Sequence, residues 1–346
     1  MKPTPHGPSC LGSFNTLAQS GTDKMAIIQG NGSDLANAKA LQGRSKRKLI
    51  SQSLMLSMVD SCMKYGTPEM KKAYWNTYHC QNRIITANGR IYGKYCKNRH
   101  CTLCCANRKA DIINRYLPVI SQWPEPYFVT LTIKAVPHRR LRDVMQNITE
   151  EFRQIVETYR KRHQRGKGQK LMGIRSLESN FNPQRRTYNP HFHVIVANKE
   201  MADILVKEWF ERSNPGWTYR KAQKAERVYD NQRAIIEVVK YGSKIFTEPD
   251  VNKKAQAKGK EVMYVKALSN IFAAMKGLRI FDRFGFNLPK AEVKRQDARV
   301  VTDYQDWHYD MAKYDWINDK GERLSDYTPG ASLLWLLGER VDVQLE

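Results

Sequence analysis

The run of residues 190–196 alternates as a half-buried β-strand does: Phe192 separates His191 from His193, and three aliphatic residues follow. Residues two apart on a strand project to the same face. The sequence therefore predicts that both imidazoles lie on one face of a sheet while Phe192 points into the core. Two imidazoles on a rigid strand form part of a divalent-metal site with positions open for a phosphate oxygen. A His-x-His pattern alone is also compatible with two structural histidines.

A third ligand is expected from the strand that precedes this one. Residues 171–179 and 191–197 are predicted to form two strands, which a long hairpin loop over residues 182–190 connects. Glu178 lies on the first strand, across the hairpin from the histidines, and is the natural choice for the third ligand.

The remaining elements indicate the fold class. Residues 127–133 are β-branched and aromatic and are predicted to form a buried strand. Residues 141–159 carry apolar side chains at three- and four-residue steps, which is typical of an amphipathic helix. Further helices are predicted over residues 49–63, 106–123, 201–211 and 233–245. This order favours an α+β fold with a central antiparallel sheet and helices packed on one of its faces.

The charge of the chain indicates a polyanionic partner. Lys and Arg number 58 against 34 Asp and Glu, which gives a net charge of +24. Residues 301–346 contain ten acids and four bases, so residues 1–300 carry +30. Nucleic acid is the usual partner for such a surplus, and a ribosome-associated or simply solvated basic protein is the alternative.

No apolar run is long enough to span a membrane, so no membrane partner and a cytoplasmic location are predicted.

Four cysteines predict a structural zinc site. Cys80, Cys96, Cys101 and Cys104 follow the spacing C-x15-C-x4-C-x2-C, which suits a tetrahedral thiolate site. Cys105, His79 or His100 could substitute for one of them, and reduced buried cysteines or a redox-active pair are the alternatives. Because a closed four-cysteine site leaves no position for a substrate, this module is expected to help bind DNA through the basic residues around it and to take no part in catalysis.

A tyrosine follows the histidines on a predicted helix. Glu237 and Tyr241 are four residues apart and share a helix face, and Lys244 lies one turn further along. A phenol with a pKa near 10 is a poor nucleophile until cations stabilise its phenolate, which Lys240 or Lys244 and a metal could do. A core tyrosine beside a surface Glu/Lys pair is the plainer interpretation of this helix taken alone.

Taken together, these segments resemble the HUH-endonuclease superfamily, and within it the rolling-circle replication proteins of small bacterial plasmids. That family combines a Phe-Leu-Thr-Leu-Thr strand, a His-hydrophobe-His strand and a downstream Lys-Tyr-x-x-Lys helix. The corresponding segments here are residues 127–133, 190–196 and 240–244, in the same order. A cysteine stretch similar to residues 96–104 precedes the first motif in that family, and residues 277–285 resemble its closing region. The leader and the acidic tail fall outside the resemblance.

The resemblance implies a mechanism. His191 and His193 would hold Mg²⁺ or Mn²⁺ with Glu178 as third ligand, and Tyr241 would attack the scissile phosphate to form a 5′-phosphotyrosine and free a 3′-OH primer. Glu237 matches a glutamate that directs water in the terminating cleavage of one plasmid subgroup. Ile245 stands where phage initiators carry a second tyrosine, so the paired-tyrosine arrangement is not reproduced.

The implied partners are single-stranded DNA at an origin hairpin and the host helicase and polymerase, with homodimer formation left open. Two other functions are compatible with the motifs: a rolling-circle transposase of the same superfamily, and a non-catalytic zinc-containing nucleic-acid-binding protein.

The predicted organisation has four parts. Residues 1–47 are a flexible leader, residues 48–123 a helical and Cys-rich zinc module, residues 124–290 the endonuclease domain and residues 291–346 an acidic aromatic tail. Trp307, Trp316 and Trp335 in the tail suggest a contact with another protein.

Overall fold

The structure of the chain is a computed structural model that describes residues 12–16, 25–213, 216–239, 261–289, 298–331 and 333–334. The chain forms two compact units. The first comprises Met1–Asp111, Ile245–Val262 and Ala291–Glu346, and the second comprises Ile112–Lys244 and Met263–Lys290.

The described elements mix helices with antiparallel strands, which confirms the α+β class. The helices are α1 (Ala38–Tyr65), α2 (Pro68–Tyr78), α3 (Thr102–Ile120), α4 (His138–Gln164), α5 (Lys199–Arg212), α6 (Asn231–Val239) and α7 (Glu261–Met275). The strands are β1 (Ser13–Thr16), β2 (Ala26–Gln29), β3 (Ser33–Asp34), β4 (Arg83–Ala87), β5 (Arg90–Gly93), β6 (Tyr127–Thr132), β7 (Gly173–Asn182), β8 (Thr187–Val196), β9 (Lys224–Arg227), β10 (Phe281–Phe284), β11 (Arg299–Val301), β12 (Gln305–Asp310) and β13 (Asp315–Ile317).

The second unit contains a five-stranded antiparallel sheet with the strand order β10-β7-β8-β6-β9. Helices α4, α5 and α7 contribute to the core on one of its faces. That core includes Leu131, Phe192 and Val194 from the strands, with Phe152 and Trp209 from α4 and α5. The three- and four-residue spacing of the apolar side chains in α4 explains this packing, because it places them in one buried stripe.

The opposite face of the sheet is also covered in part, so the expectation of helices on one face only is wrong. Ile174 of β7 and Ile195 of β8 project to this face and pack against α6 and the end of α3. The helical side chains in this second cluster are Tyr116, Ile120, Ala234, Ile235 and Val238. Together with the partly buried Phe128 of β6 and Phe281 of β10, these strand residues form the apolar surface on which α6 docks.

The hairpin between β7 and β8 is tighter than its sequence suggests. The two strands stay paired as far as Asn182 and Thr187, so the connection is four residues long and not the predicted loop over residues 182–190. Pro190 lies inside β8 although it has no N–H, one residue beyond the last pair with β6, which joins His191 to Thr132. The extra pairs lengthen the rigid scaffold that carries the histidines.

The first unit joins segments that the sequence analysis had separated. β2 pairs with β1 and β11, and β4 pairs with β5 and β12, so residues near both ends of the chain share two sheets. Helix α1 begins at Ala38, inside the predicted leader. The predicted boundaries at residues 47 and 291 therefore do not match the observed units, because strand pairing joins segments that are far apart in sequence.

Two of the tail tryptophans belong to the core of the first unit. Trp316 is fully buried and donates from Nε1 to the Gln81 carbonyl at 2.7 Å. Trp307 is 6% exposed and donates to the Thr86 hydroxyl at 3.0 Å. Both rings therefore serve the packing of this unit, and the predicted protein contact through them is wrong. Trp335 lies outside the described residues.

Among the described residues, no helix combines the length and apolar character that a membrane crossing requires.

Candidate active site

Three of the predicted ligands meet on one face of the sheet in the second unit. The register of β7 and β8 places Glu178 directly opposite His191, and His193 lies two residues further along β8. Oε2 of Glu178 is 3.7 Å from Nε2 of His191 and 3.6 Å from Nε2 of His193. The two imidazole rings lie 4.9 Å apart and nearly perpendicular. Three side chains thus direct a ligand atom towards one small volume.

The outer nitrogens of both rings make contacts that favour this orientation. His191 Nδ1 lies 3.0 Å from the carbonyl oxygen of Asn189, so it carries the proton and donates. His193 Nδ1 lies 3.3 Å from the hydroxyl of Thr130. Because Nδ1 of His191 carries the proton, its Nε2 lone pair is directed at the carboxylate, as a metal-binding histidine requires.

Phe192 anchors the strand between the two histidines. Its ring is fully buried on the other face of the sheet, 5.2 Å from the ring of Phe152 and 5.7 Å from that of Trp209. The guanidinium of Arg175 lies 5.0 Å from the Phe192 centroid, and burial lowers the pKa of Arg175 to about 10. The predicted orientation of Phe192 into the core is confirmed. This packing fixes β8 and hence the directions of His191 and His193.

The three side chains fit a divalent cation by chemistry and by distance. One carboxylate and two imidazoles are a mixed oxygen and nitrogen set that Mn²⁺ accepts, and Mg²⁺ accepts the oxygen. Their ligand atoms all lie within 4.8 Å of one another. Ligands about 2.1 Å from a shared ion lie roughly 3–4 Å apart, as Oε2 of Glu178 does from Nε2 of each histidine. Glu178 and His191 are buried and His193 is partly exposed, with 14% of its side chain accessible. The site is therefore open to a substrate on the His193 side.

Two threonines and an asparagine that were not predicted lie beside the candidate ligands. Thr130 and Thr132 of β6 pair with His193 and His191 and project to the same face. The Thr132 hydroxyl donates to Oδ1 of Asn189 at 3.2 Å, and Nδ2 of Asn189 donates to the Ile133 carbonyl at 2.6 Å. The alternate positions of these threonines in the predicted strand 127–133 indicate that they share a face. The strand register is needed to show that this face is the one with the histidines.

Helix α6 lies beside the site. Its buried residues pack on Ile195, which follows His193 by two residues on the same strand face. Glu237 is half-buried on this helix. Lys240, Tyr241 and Lys244 lie outside the described residues, which end here at Val239.

The first unit brings the four predicted cysteines together. Sγ of Cys104 lies 3.8 Å from Sγ of Cys80 and 3.6 Å from Sγ of Cys96, and all four sulfur atoms lie within 4.8 Å of one another. The corners of a tetrahedron around zinc, with Zn–S distances of about 2.3 Å, are about 3.8 Å apart. Hydrogen bonds from the other thiols, with Cys101 first, lower the pKa of Cys96. The cluster fits a tetrahedral thiolate-bound ion.

The three alternative ligands contact other groups. Cys105 Sγ lies 2.9 Å from the Arg99 carbonyl, and burial raises the pKa of its thiol to about 12. Nδ1 of His79 lies 3.1 Å from the Asn82 amide, and Nε2 of His100 lies 3.3 Å from the Ala73 carbonyl. The geometry therefore favours the four-cysteine set among the ligand sets that the sequence left open.

A buried lysine supports the loop that carries Cys80. Lys48 of α1 is fully buried, and its Nζ donates to the carbonyl oxygens of Tyr78 at 2.8 Å and Cys80 at 2.9 Å. Burial lowers the pKa of Lys48 to about 7, and the nearby thiols act in the opposite direction. Lys48 therefore fixes the backbone at the first cysteine of the cluster.

Comparison with known proteins agrees with this architecture. Residues 90–318, more than half of the chain, match the Rep_1 family model, whose description is "Replication protein". A Protein rep of Staphylococcus aureus is 29% identical over 165 residues, which cover 43% of this chain and 69% of that protein. A Bacillus sp Protein rep is 27% identical over 139 residues, which cover 38% of this chain and 42% of the relative. A Bacillus amyloliquefaciens Protein rep is 30% identical over 139 residues, with 38% of each chain covered.

The chain thus spans well under half the length of the two Bacillus relatives. No solved structure matches it. The family match includes the cysteine cluster from Cys96 onwards and the whole Glu178, His191 and His193 site. The chain therefore belongs to the Replication protein family, which confirms the resemblance to the rolling-circle plasmid initiators of the HUH superfamily.

Proposed function

We propose that this protein initiates rolling-circle replication by nicking single-stranded DNA at a plasmid origin and remaining covalently attached to the 5′ end. The observation that carries the proposal is the convergence of Glu178, His191 and His193 within 4.8 Å on one sheet face. Helix α6 crosses the same face, and Tyr241 follows its last described residue by two positions in sequence.

Glu178, His191 and His193 would hold Mg²⁺ or Mn²⁺, which polarises a phosphoryl oxygen and stabilises charge on the leaving oxygen. The Tyr241 oxygen forms a bond to phosphorus while the bond from phosphorus to the 3′ oxygen breaks. The phenol loses its proton, helped by the positive charge of Lys240 or Lys244. The departing 3′ oxygen gains a proton and becomes the 3′-OH that primes the host polymerase. Glu237 activates a water molecule for the terminating cleavage.

Zn²⁺ bound by the four cysteines would have a structural role in the first unit. A site closed by four thiolates has no position for substrate, so its contribution is to fix the fold and present nearby basic residues. The host helicase that unwinds the nicked plasmid is the further partner of this proposal.

The test uses wild-type protein and the Tyr241→Phe variant with single-stranded plasmid DNA and Mn²⁺. Wild-type protein should yield a nicked strand, and mass spectrometry should find a DNA adduct on the Tyr241 peptide. Tyr241→Phe should lose the nick and the adduct but keep salt-sensitive DNA binding, because the phenol oxygen alone is removed. An adduct in the variant would show that another residue is the nucleophile, and wild-type protein that never nicks would refute the proposal.

A further inference from the structure

The outer edge of the sheet beside the candidate metal site is basic and exposed. Among the strands that the structure describes, β9 is the last in the order and pairs only with β6. All four of its residues, from Lys224 to Arg227, are exposed. The preceding segment carries exposed Tyr219, Arg220 and Lys221. Cations and an aromatic ring are the side chains that bind the backbone and bases of single-stranded DNA.

Lys224 lies on the same sheet face as the metal ligands. It pairs directly with Thr130, and Thr130 pairs directly with His193 and contacts its ring. Directly opposed residues of antiparallel strands project to one face and have Cα atoms about 4.5–5.5 Å apart. The Cα atoms of Lys224 and His193 are therefore on the order of 10 Å apart. A lysine stem can cover much of that distance towards a phosphate next to the metal site.

A buried glutamine fixes this segment to the centre of the sheet. Gln223 is 8% exposed, and its Oε1 accepts from the Thr132 backbone N–H at 2.7 Å. Its Nε2 donates to the carbonyl oxygens of Thr132 at 3.1 Å and Tyr219 at 3.0 Å. Thr132 also pairs with His191, so this one residue of β6 lies next to a candidate metal ligand and anchors the segment that contains Gln223. These bonds hold the backbone at Tyr219 close to β6, next to the strand position of Lys224, and the Tyr219 side chain is 58% exposed.

We propose that the segment 219–224 is a binding subsite for the single-stranded DNA substrate next to the scissile phosphate, an inference that rests on the proposed function. Lys224 binds a phosphodiester oxygen as a point charge, and the ring of Tyr219 stacks on a base. Glu226 lies on the same face as Lys224, two residues further along β9, so the positive charge on this face of the strand ends there. The alternative role for Lys224 is protection of an edge strand against pairing with other chains, which exposed lysines commonly provide.

Affinity for a fluorescent oligothymidylate, measured by anisotropy over a salt series without added Mg²⁺ or Mn²⁺, tests the phosphate contact. Lys224→Gln should lower the slope of log affinity against log salt by about 0.7 and weaken binding several-fold, because one phosphate contact is lost. Lys224→Arg should retain the slope. Lys199→Gln is the matched control, since Lys199 is exposed on α5, which packs on the opposite face.

The stacking contact has its own pair of variants. Tyr219→Ala should weaken binding by about 5- to 150-fold, the range for loss of one stacked base, while Tyr219→Phe keeps the ring and should bind like wild type. If Lys224→Gln and Tyr219→Ala both bind like wild type with an unchanged salt slope, the subsite is refuted and Lys224 only protects the edge. These binding results stand apart from nicking, so a protein that shows them without cleaving DNA would refute the proposed function and leave the subsite intact.

Discussion

The contact between Thr130 and His193 permits a precise test of the candidate metal centre. Thr130→Val replaces the hydroxyl with a methyl group of similar size and keeps a β-branched residue in β6. The Thr130 hydroxyl lies 3.3 Å from His193 Nδ1, which is long for such a bond. Its loss should therefore reduce divalent-metal affinity towards the lower end of the range seen when such supporting contacts are removed, about 10-fold, or about 1.4 kcal/mol.

Thr132→Val is the matched control. Thr132 occupies the next position on the same face of β6, but its hydroxyl contacts Asn189 and not an imidazole ring. Mn²⁺ affinity of both variants and of wild type can be measured by isothermal titration calorimetry on protein purified without a chelator. Thr132→Val should bind Mn²⁺ within about twofold of wild type, since neither ring nitrogen loses a contact.

Two results would contradict this reasoning. Equal Mn²⁺ affinity of Thr130→Val and wild type would mean that the hydroxyl does not orient His193. Equal losses in both variants would mean that the strand is disturbed as a whole. Melting temperatures distinguish a specific loss of metal binding from partial unfolding, because the loss of one hydroxyl contact should alter the free energy of unfolding by only about 1 kcal/mol.

Two further predictions concern the cysteine cluster and helix α6. Cys104→Ser should lose bound zinc and have a lower melting temperature, because one of the four thiolates is removed. Cys105→Ser should keep its zinc, because Cys105 Sγ contacts the Arg99 carbonyl. Equal zinc content of the two variants by atomic absorption would contradict the four-cysteine set. Glu237→Ala should leave the first nick at the wild-type rate and slow release of the circular strand by about 100-fold or more, since general-base catalysis supplies about 10²–10⁴-fold. An unchanged rate of release, followed on a gel, would remove the water-activating role.

Local alternation was sufficient to predict that Glu178, His191 and His193 converge on one face of the sheet. The pattern around Phe192 fixed the side on which His191 and His193 lie, and the hairpin brought Glu178 across from them. The contributions of Thr130 and Lys224 could not be predicted in the same way. β9 is short, polar and exposed, so it has no apolar alternation to reveal that it pairs with β6.

The sequence was less informative about long-range packing. Ile174 and Ile195 were correctly placed in strands, but nothing local shows that α6 covers them. In the first unit the hydroxyl of Ser45 bonds to Asp315, 270 residues away, and such pairing leaves no periodic signal. The leader and the tail were therefore predicted as separate parts although their strands share sheets.

The path of the chain through the first unit has a consequence for its synthesis. Thr86 of β4 pairs with Gln305 of β12, and the whole second unit is made between them. At the usual pace of translation, the 219 residues that separate this pair take roughly 10–45 s to appear. During that interval β4 has an unpaired edge, while every described strand of the second unit's sheet has been made by Phe284. Nascent chains are then most exposed to wrong strand pairing, and slowing translation after Phe284 would prolong that risk.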